Sequence, residues 1–217
     1  MRYKTVFFDL DGTLTNSEKG ITNCVRYALD DFGIQEPDIN RLRRFIGPPL
    51  VNSFMKEYGF TMEQAVKAVE KYRERYARIG IFENSLYEGI PCLLRQLKKR
   101  EKCVVLTTSK PLVYAKQILE KFEVAKYFDF VSGSELDGTR NQKIEVIEHA
   151  LRHVDDVESS QIVLVGDTRF DILGAKSFGF VSVGVKYGFA EVGELEQAGA
   201  DYLFDDVNGL TEFLIGG

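Results

Sequence analysis

The sequence predicts a doubly wound α/β fold: a parallel-sheet core with a small all-helical cap domain inserted after the first strand. Three observations carry this reading. Short apolar runs rich in β-branched residues alternate with helical segments from about residue 86 onward, the pattern of a parallel sheet covered on both faces. Residues 16–85 break that alternation and are helical throughout. One apolar strand precedes the break, so the helical stretch is an insertion. The expected division is a core of residues 1–15 and 86–217 and a cap of residues 16–85.

The first strand runs from Lys4 to Asp9, with Val6, Phe7 and Phe8 buried. In the insertion, Ile21, Val25, Ala28, Leu29 and Phe32 form one stripe at helical spacing, stopped by Gly33. A second helix starts at Pro37-Asp38, turns Ile39, Leu42, Phe45 and Ile46 inward, and ends at Gly47-Pro48-Pro49. Leu50, Val51, Phe54, Met55 and Tyr58 mark a third, ending at Gly59. Thr61 to Gln64 fits a capping box that opens a fourth, with Ala65, Val66, Val69, Tyr72 and Tyr76 on one side. Four amphipathic helices with short joints read as a small bundle.

The core then resumes. Pro91 suits the first turn of a helix carrying Leu93, Leu94 and Leu97. Strands are expected at Cys103–Thr107, Phe128–Ser132, Ile162–Val165, Val181–Val185 and Tyr202–Phe204. Helices are expected at Val113–Phe122, Ile144–Leu151, Phe170–Phe178 and Leu210–Leu214.

Bulk properties exclude several classes. The net charge of −5, with acids and bases interspersed, carries no nucleic-acid footprint. The cluster Arg41, Arg43, Arg44 is short and reads equally as a solvated helix face or a substrate contact. No apolar run approaches the ~20 residues of a membrane span. Met1 to Lys4 runs straight into a strand, without a signal peptide. Cys24, Cys92 and Cys103 are odd in number and scattered. They read as reduced, mostly buried thiols, and the expected location is cytoplasmic.

The chemistry begins at Asp9-Leu10-Asp11-Gly12-Thr13, where the first strand ends. Gly12 permits a tight turn, so both acids face one pocket from slightly different angles. Two carboxylates this close repel unless a cation, a proton or a phosphoryl group lies between them. Three further segments follow: Thr107-Thr108-Ser109-Lys110-Pro111 at a strand end, then Lys143, then Gly166-Asp167-Thr168-Arg169-Phe170-Asp171 after another strand. In open parallel sheets the functional crevice lies at the carboxyl ends of the strands, where Asp9, Thr108 and Asp167 all fall.

In type and order, these four segments resemble the motifs of the haloacid dehalogenase-like phosphatases. Ile46 to Leu50 and Val183 to Gly188 are most similar to the phosphoglycolate phosphatase and 5′-nucleotidase-like branch. The resemblance implies a phosphoglycolate phosphatase-like hydrolase of small phosphorylated metabolites that uses Mg²⁺. Asp9 would be the nucleophile, forming an aspartyl-phosphate. Asp11 would be the acid and base. Mg²⁺ would be held by the Asp9 carboxylate, the Asp11 main-chain oxygen and the Asp167 carboxylate. Asp171 would hold the metal's waters or Lys143 from behind. Thr108 would donate to a phosphate oxygen, helped by the amides of Ser109 and Lys110 at a helix start, and Lys143 would supply the matching cation. Lys110 is either a further substrate contact or exposed. Arg44 is a candidate contact for a distal carboxylate or phosphate. A nucleoside 5′-monophosphatase and a β-phosphoglucomutase-like phosphomutase remain alternatives. A receiver-type signalling domain fits less well, because it lacks the insertion and the late Gly-Asp-x-x-x-Asp. Dehalogenases lack the second acid of the first motif, so Asp11 favours phosphate chemistry. Either a monomer or a homodimer is compatible.

Overall fold

The computed structural model describes residues 3–154 and 157–216. The expected leaderless start at Met1-Arg2 lies outside them. The chain forms two compact units, one of residues 1–15 with 86–217 and one of residues 16–85.

In the first unit, six strands make one sheet. They are β1 (Thr5–Phe8), β4 (Cys103–Pro111), β5 (Phe130–Ser134), β6 (Ile162–Gly166), β7 (Val181–Val185) and β8 (Tyr202–Phe204). Two short strands, β2 (Thr15–Asn16) and β3 (Ser85–Leu86), pair with each other where the chain passes from one unit to the other. The order across the main sheet is β5-β4-β1-β6-β7-β8, and every pairing is parallel. After β1 the chain builds outward through β4 and β5, then returns to the other side of β1 with β6. This reversal makes the carboxyl end of β1 a topological switch point, where open sheets of this kind place their ligands.

Parallel strands need crossovers, and here helices supply them. The elements of the second unit come first in the chain: α1 (Glu18–Asp31), α2 (Ile39–Arg43), α3 (Leu50–Tyr58) and α4 (Met62–Tyr76). The core helices are α5 (Ile90–Lys99), α6 (Leu112–Lys121), α7 (Lys143–Leu151), α8 (Arg169–Ser177), the short α9 (Glu194–Gln197) and α10 (Val207–Ile215). On one sheet face Phe7, Val105 and Leu164 meet Ile147 and Ala150 of α7 and Ala175 of α8, with Phe180 edge-on to Phe7. The intervening residues Val6, Phe8, Val104 and Leu106 are equally buried, as a strand with both faces covered requires.

Within the helical unit, α1 packs along α4. Phe45, Phe54, Tyr58 and Phe60 form an aromatic cluster, and Phe32 joins it through Phe60. Thr61 and Gln64 form the expected capping box. Arg75 and Glu83 pair at 2.7 Å beside Cys24.

Several local expectations are corrected. The second helix is only five residues long, because the chain turns at Arg44 to reach Gly47. Met55 and Val66 face solvent, and Ala68 takes the inward place expected of Val66. The strand from Cys103 does not stop at Thr107 but runs on to Pro111, so the next helix starts at Leu112. Among the cysteines only Cys24 is fully buried, while Cys92 is exposed on α5. No helix among the described residues is long and apolar enough to cross a membrane.

Candidate active site

The ends of β1, β4 and β6 and the starts of α7 and α8 meet at the switch point. Asp9 continues β1 by one residue, its N–H bonded to Val165 O at 2.9 Å. Its side chain is buried, and Oδ1 lies 2.5 Å from Lys143 Nζ. Lys143 is the first residue of α7, which directs its side chain back toward the sheet edge. The same ammonium lies 2.7 Å from Asp171 Oδ1 and donates to Thr107 O at 2.8 Å. The contacts with Asp9 and Thr107 are hydrogen bonds, and the one with Asp171 is an ion pair.

Asp167 follows β6 and is almost entirely enclosed. Its Oδ2 accepts the Phe189 N–H at 2.8 Å, and its Oδ1 takes a long bond of 3.4 Å from the Thr13 hydroxyl. Two glycines make room for it. A Cβ at Gly12 or at Gly188 would run into the Asp167 carboxyl group. Gly12 also has φ +87°, a left-handed conformation that costs other residues energy. Asp171 caps α8, with Oδ2 accepting both the N–H and the hydroxyl of Thr168 at 3.1 and 2.8 Å. Asp171 thus both caps α8 and pairs with Lys143.

Ligand oxygens of Asp9, Asp167 and Asp171 all lie within 4.8 Å of one another. Counting Asp11, four carboxylates face two ammonium groups, Lys143 and Lys110. A divalent cation would balance the two negative charges left over. The electrostatics point the same way. Burial pushes the Asp9 carboxyl up to about 7; Lys143 opposes this, and Asp171 and Asp11 add to it. Burial, then Asp171 and Asp9, raise Asp167 well above the carboxylate range. Burial alone would lower the Lys143 ammonium, but Asp171 and Asp9 more than offset it and hold it protonated. Hard oxygen donors in a buried, net acidic cradle suit a hard divalent cation.

The expected phosphate donors are placed as follows. Thr108 is buried on β4, and its Oγ1 accepts the Lys110 N–H at 3.2 Å. Ser109 is partly buried and its carbonyl accepts the Ser134 hydroxyl at 2.7 Å. Their amides are not at a helix start, as expected, because the strand continues through them. Arg44 lies in the helical unit, where its exposed guanidinium bonds Glu57 Oε2 at 3.3 Å.

Sequence reasoning missed two contributors. Lys110, left open between a contact and an exposed charge, is buried against Asp11 Oδ2 at 2.6 Å. The loop after β7 supplies the Phe189 N–H and the Gly188 gap to Asp167, while the Tyr187 hydroxyl donates to Thr13 O at 3.0 Å. The glycine at 188 was visible in the sequence; what it makes room for was not.

The sequence model described as haloacid dehalogenase-like hydrolase matches residues 6–185. A 5′-nucleotidase of Pseudomonas aeruginosa is 42% identical, covering 99% of this chain and 96% of its own. A phosphoglycolate phosphatase of Vibrio parahaemolyticus is 27% identical, over 96% of this chain and 95% of its own. A crystal structure of a predicted phosphatase from Clostridium acetobutylicum superposes with a TM-score of 0.95 at 43% identity, covering 100% of both chains. With the family match spanning both the Asp9 to Thr13 segment and the Gly166 to Asp171 one, the chain belongs to the haloacid dehalogenase-like hydrolases.

Proposed function

We propose that this protein is a Mg²⁺-dependent phosphomonoester hydrolase that works through an aspartyl-phosphate on Asp9. The observation that carries the reading is the convergence of Asp9, Asp167 and Asp171 at the end of β1, with one buried ammonium paired to Asp9 and Asp171. Residues Asp9 and Asp167, with the Asp11 main-chain oxygen, would hold the ion, and Asp171 would hold Lys143. When bound, Mg²⁺ neutralises charge on the phosphoryl oxygens.

The remaining work falls to the chain. Asp9 attacks phosphorus in line with the ester oxygen. Lys143 beside it stabilises the ionised form that attack requires. Asp11 gives its proton to the departing ester oxygen as the P–O bond breaks. It then takes a proton from the water that attacks the acyl phosphate, which returns Asp9 and releases phosphate. Thr108 donates its hydroxyl to a phosphate oxygen during transfer, with Ser109 lining the same strand end.

The substrate is a small phosphorylated metabolite. Nucleoside 5′-monophosphates rank before 2-phosphoglycolate, because the relative named for the first activity is 42% identical and the one named for the second 27%. A phosphomutase uses the same core steps but returns the phosphoryl group to an acceptor sugar.

A panel of nucleoside monophosphates, 2-phosphoglycolate and sugar phosphates, compared by kcat/KM with and without Mg²⁺, tests this. The reading requires Mg²⁺-dependent release of phosphate from at least one class. Isomerisation of a sugar phosphate without phosphate release would establish the mutase instead.

A further inference from the structure

The strand β4 departs from regular pairing just where it enters the site. Thr107 pairs with Ser132 and Pro111 pairs with Ser134, so four steps along β4 match two along β5. Such bulges bend a strand and re-aim side chains. Here the irregularity contains Thr108, Ser109 and Lys110. It is pinned from β5 by the Ser134 hydroxyl on Ser109 O at 2.7 Å. It is pinned internally by the Lys110 N–H on Thr108 Oγ1 at 3.2 Å. Gly133 lies so close that a Cβ there would press on Lys110 O.

The result is a lysine turned inward. Its side chain is 6% exposed, and Nζ lies 2.6 Å from Asp11 Oδ2, whose own side chain is 11% exposed. Asp11 Oδ1 is buried and has no hydrogen-bond partner among the described residues. One oxygen of the carboxyl group is therefore held, and the other is unpaired.

We propose that Lys110 is a positioning residue for phosphoryl transfer. By fixing Asp11 Oδ2 it assigns proton exchange to Oδ1. The inference rests on the phosphatase reading above. In the first half-reaction an Asp9 oxygen bonds to phosphorus and the P–O(ester) bond breaks. The electron pair goes to the ester oxygen, which takes the proton from Asp11 Oδ1. In the second, water oxygen bonds to phosphorus and its proton passes to Oδ1. The bond between Asp9 and phosphorus breaks, and its pair returns to the carboxylate. Lys110 takes part in neither bond change.

The test compares wild-type protein with Lys110→Met, Lys110→Arg and Ser134→Ala on an aryl and an alkyl phosphate ester, by kcat/KM with Mg²⁺ saturating. Alkyl leaving groups need the proton and aryl ones need it little, so a misplaced Asp11 separates the two. Lys110→Met should lose on the order of 10²-fold or more on the alkyl ester, a typical acid–base contribution. It should lose several-fold less on the aryl ester, with the aryl KM and the Mg²⁺ activation curve unchanged. Lys110→Arg should recover part of the alkyl activity. Ser134→Ala, which leaves both charges in place, should bias the esters in the same sense by a smaller factor. Equal losses on both esters, or a KM rise shared by both, would overturn the inference and make Lys110 a packing residue or a phosphate contact. Wild-type protein inactive on both esters would instead bring down the phosphatase reading, and this inference with it.

Discussion

Lys143 Nζ lies 2.5 Å from Asp9 Oδ1, joining the first residue of α7 to the residue that follows β1 across 134 positions of sequence. The pair sits in a place with too few cations for its acids. Much of the behaviour expected of the protein follows from that imbalance.

In metal-free protein the Asp9 contribution to stability should fall as pH rises through the weakly acidic range. Asp9 titrates near 3.8 when unfolded but about 7 when folded, so between those values the folded state binds more protons. The Asp9 contribution is then full below about pH 3.8 and is lost as pH rises through about 7. Asp167 is raised in the same direction. Unfolding midpoints of wild type and Asp9→Asn across this window isolate the Asp9 share, and wild type should lose ground relative to the variant. A constant difference between the two would contradict the raised Asp9 carboxyl.

Asp167 and Asp171 should respond in opposite ways. Asp167→Asn removes a carboxyl whose ionised form burial disfavours, so metal-free stability should hold or rise while the Mg²⁺ concentration for half activity climbs steeply. Asp171→Ala removes the α8 cap, worth about 1 kcal/mol, and a partner of Lys143. It should lower the midpoint and shift the Mg²⁺ requirement less. Mg²⁺ titrations of activity beside thermal unfolding read both, and the reverse ordering would exchange the roles.

Gly12→Ala should damage the site from the backbone. Its φ of +87° costs a non-glycine residue about 1 kcal/mol, and the added Cβ meets the Asp167 carboxyl group. Mg²⁺ affinity should fall more than stability does. A variant with the wild-type Mg²⁺ requirement would show that Asp167 can move without cost.

Arg44→Ala should reveal whether a distal anion is recognised. Arg44 is 56% exposed along its side chain and bonded to Glu57, which is 9% exposed. If Arg44 binds a carboxylate or second phosphate, the variant loses substrates bearing one and keeps neutral phosphomonoesters. A uniform loss across the panel would make it a fold contact through Glu57.

Much of this site was legible because its parts fall at strand ends, where an apolar run stops and an acid or hydroxyl follows. Asp9 and Asp167 could be placed that way, Thr108 by the end of its apolar run although β4 continues through it, and Lys143 and Asp171 by their order in the chain. Lys110 could not, because its inward turn depends on a slip between β4 and β5 that involves Ser132 and Ser134, more than twenty residues on. The Phe189 amide was equally hidden, since a main-chain donor leaves no mark in a sequence. In the helical unit, periodicity located all four helices but missed which of Val66 and Ala68 faces inward. The two lie on opposite edges of one apolar stripe, and only packing of α4 against α1 decides between them.

The central claim is that Asp9 is the nucleophile, and turnover by Asp9→Asn with saturating Mg²⁺ tests it most directly. The substitution keeps the shape of the side chain and removes its charge. The account predicts no phosphate release above background from any ester that wild type hydrolyses, with cooperative unfolding retained. Phosphate release at a rate near that of wild type would contradict it.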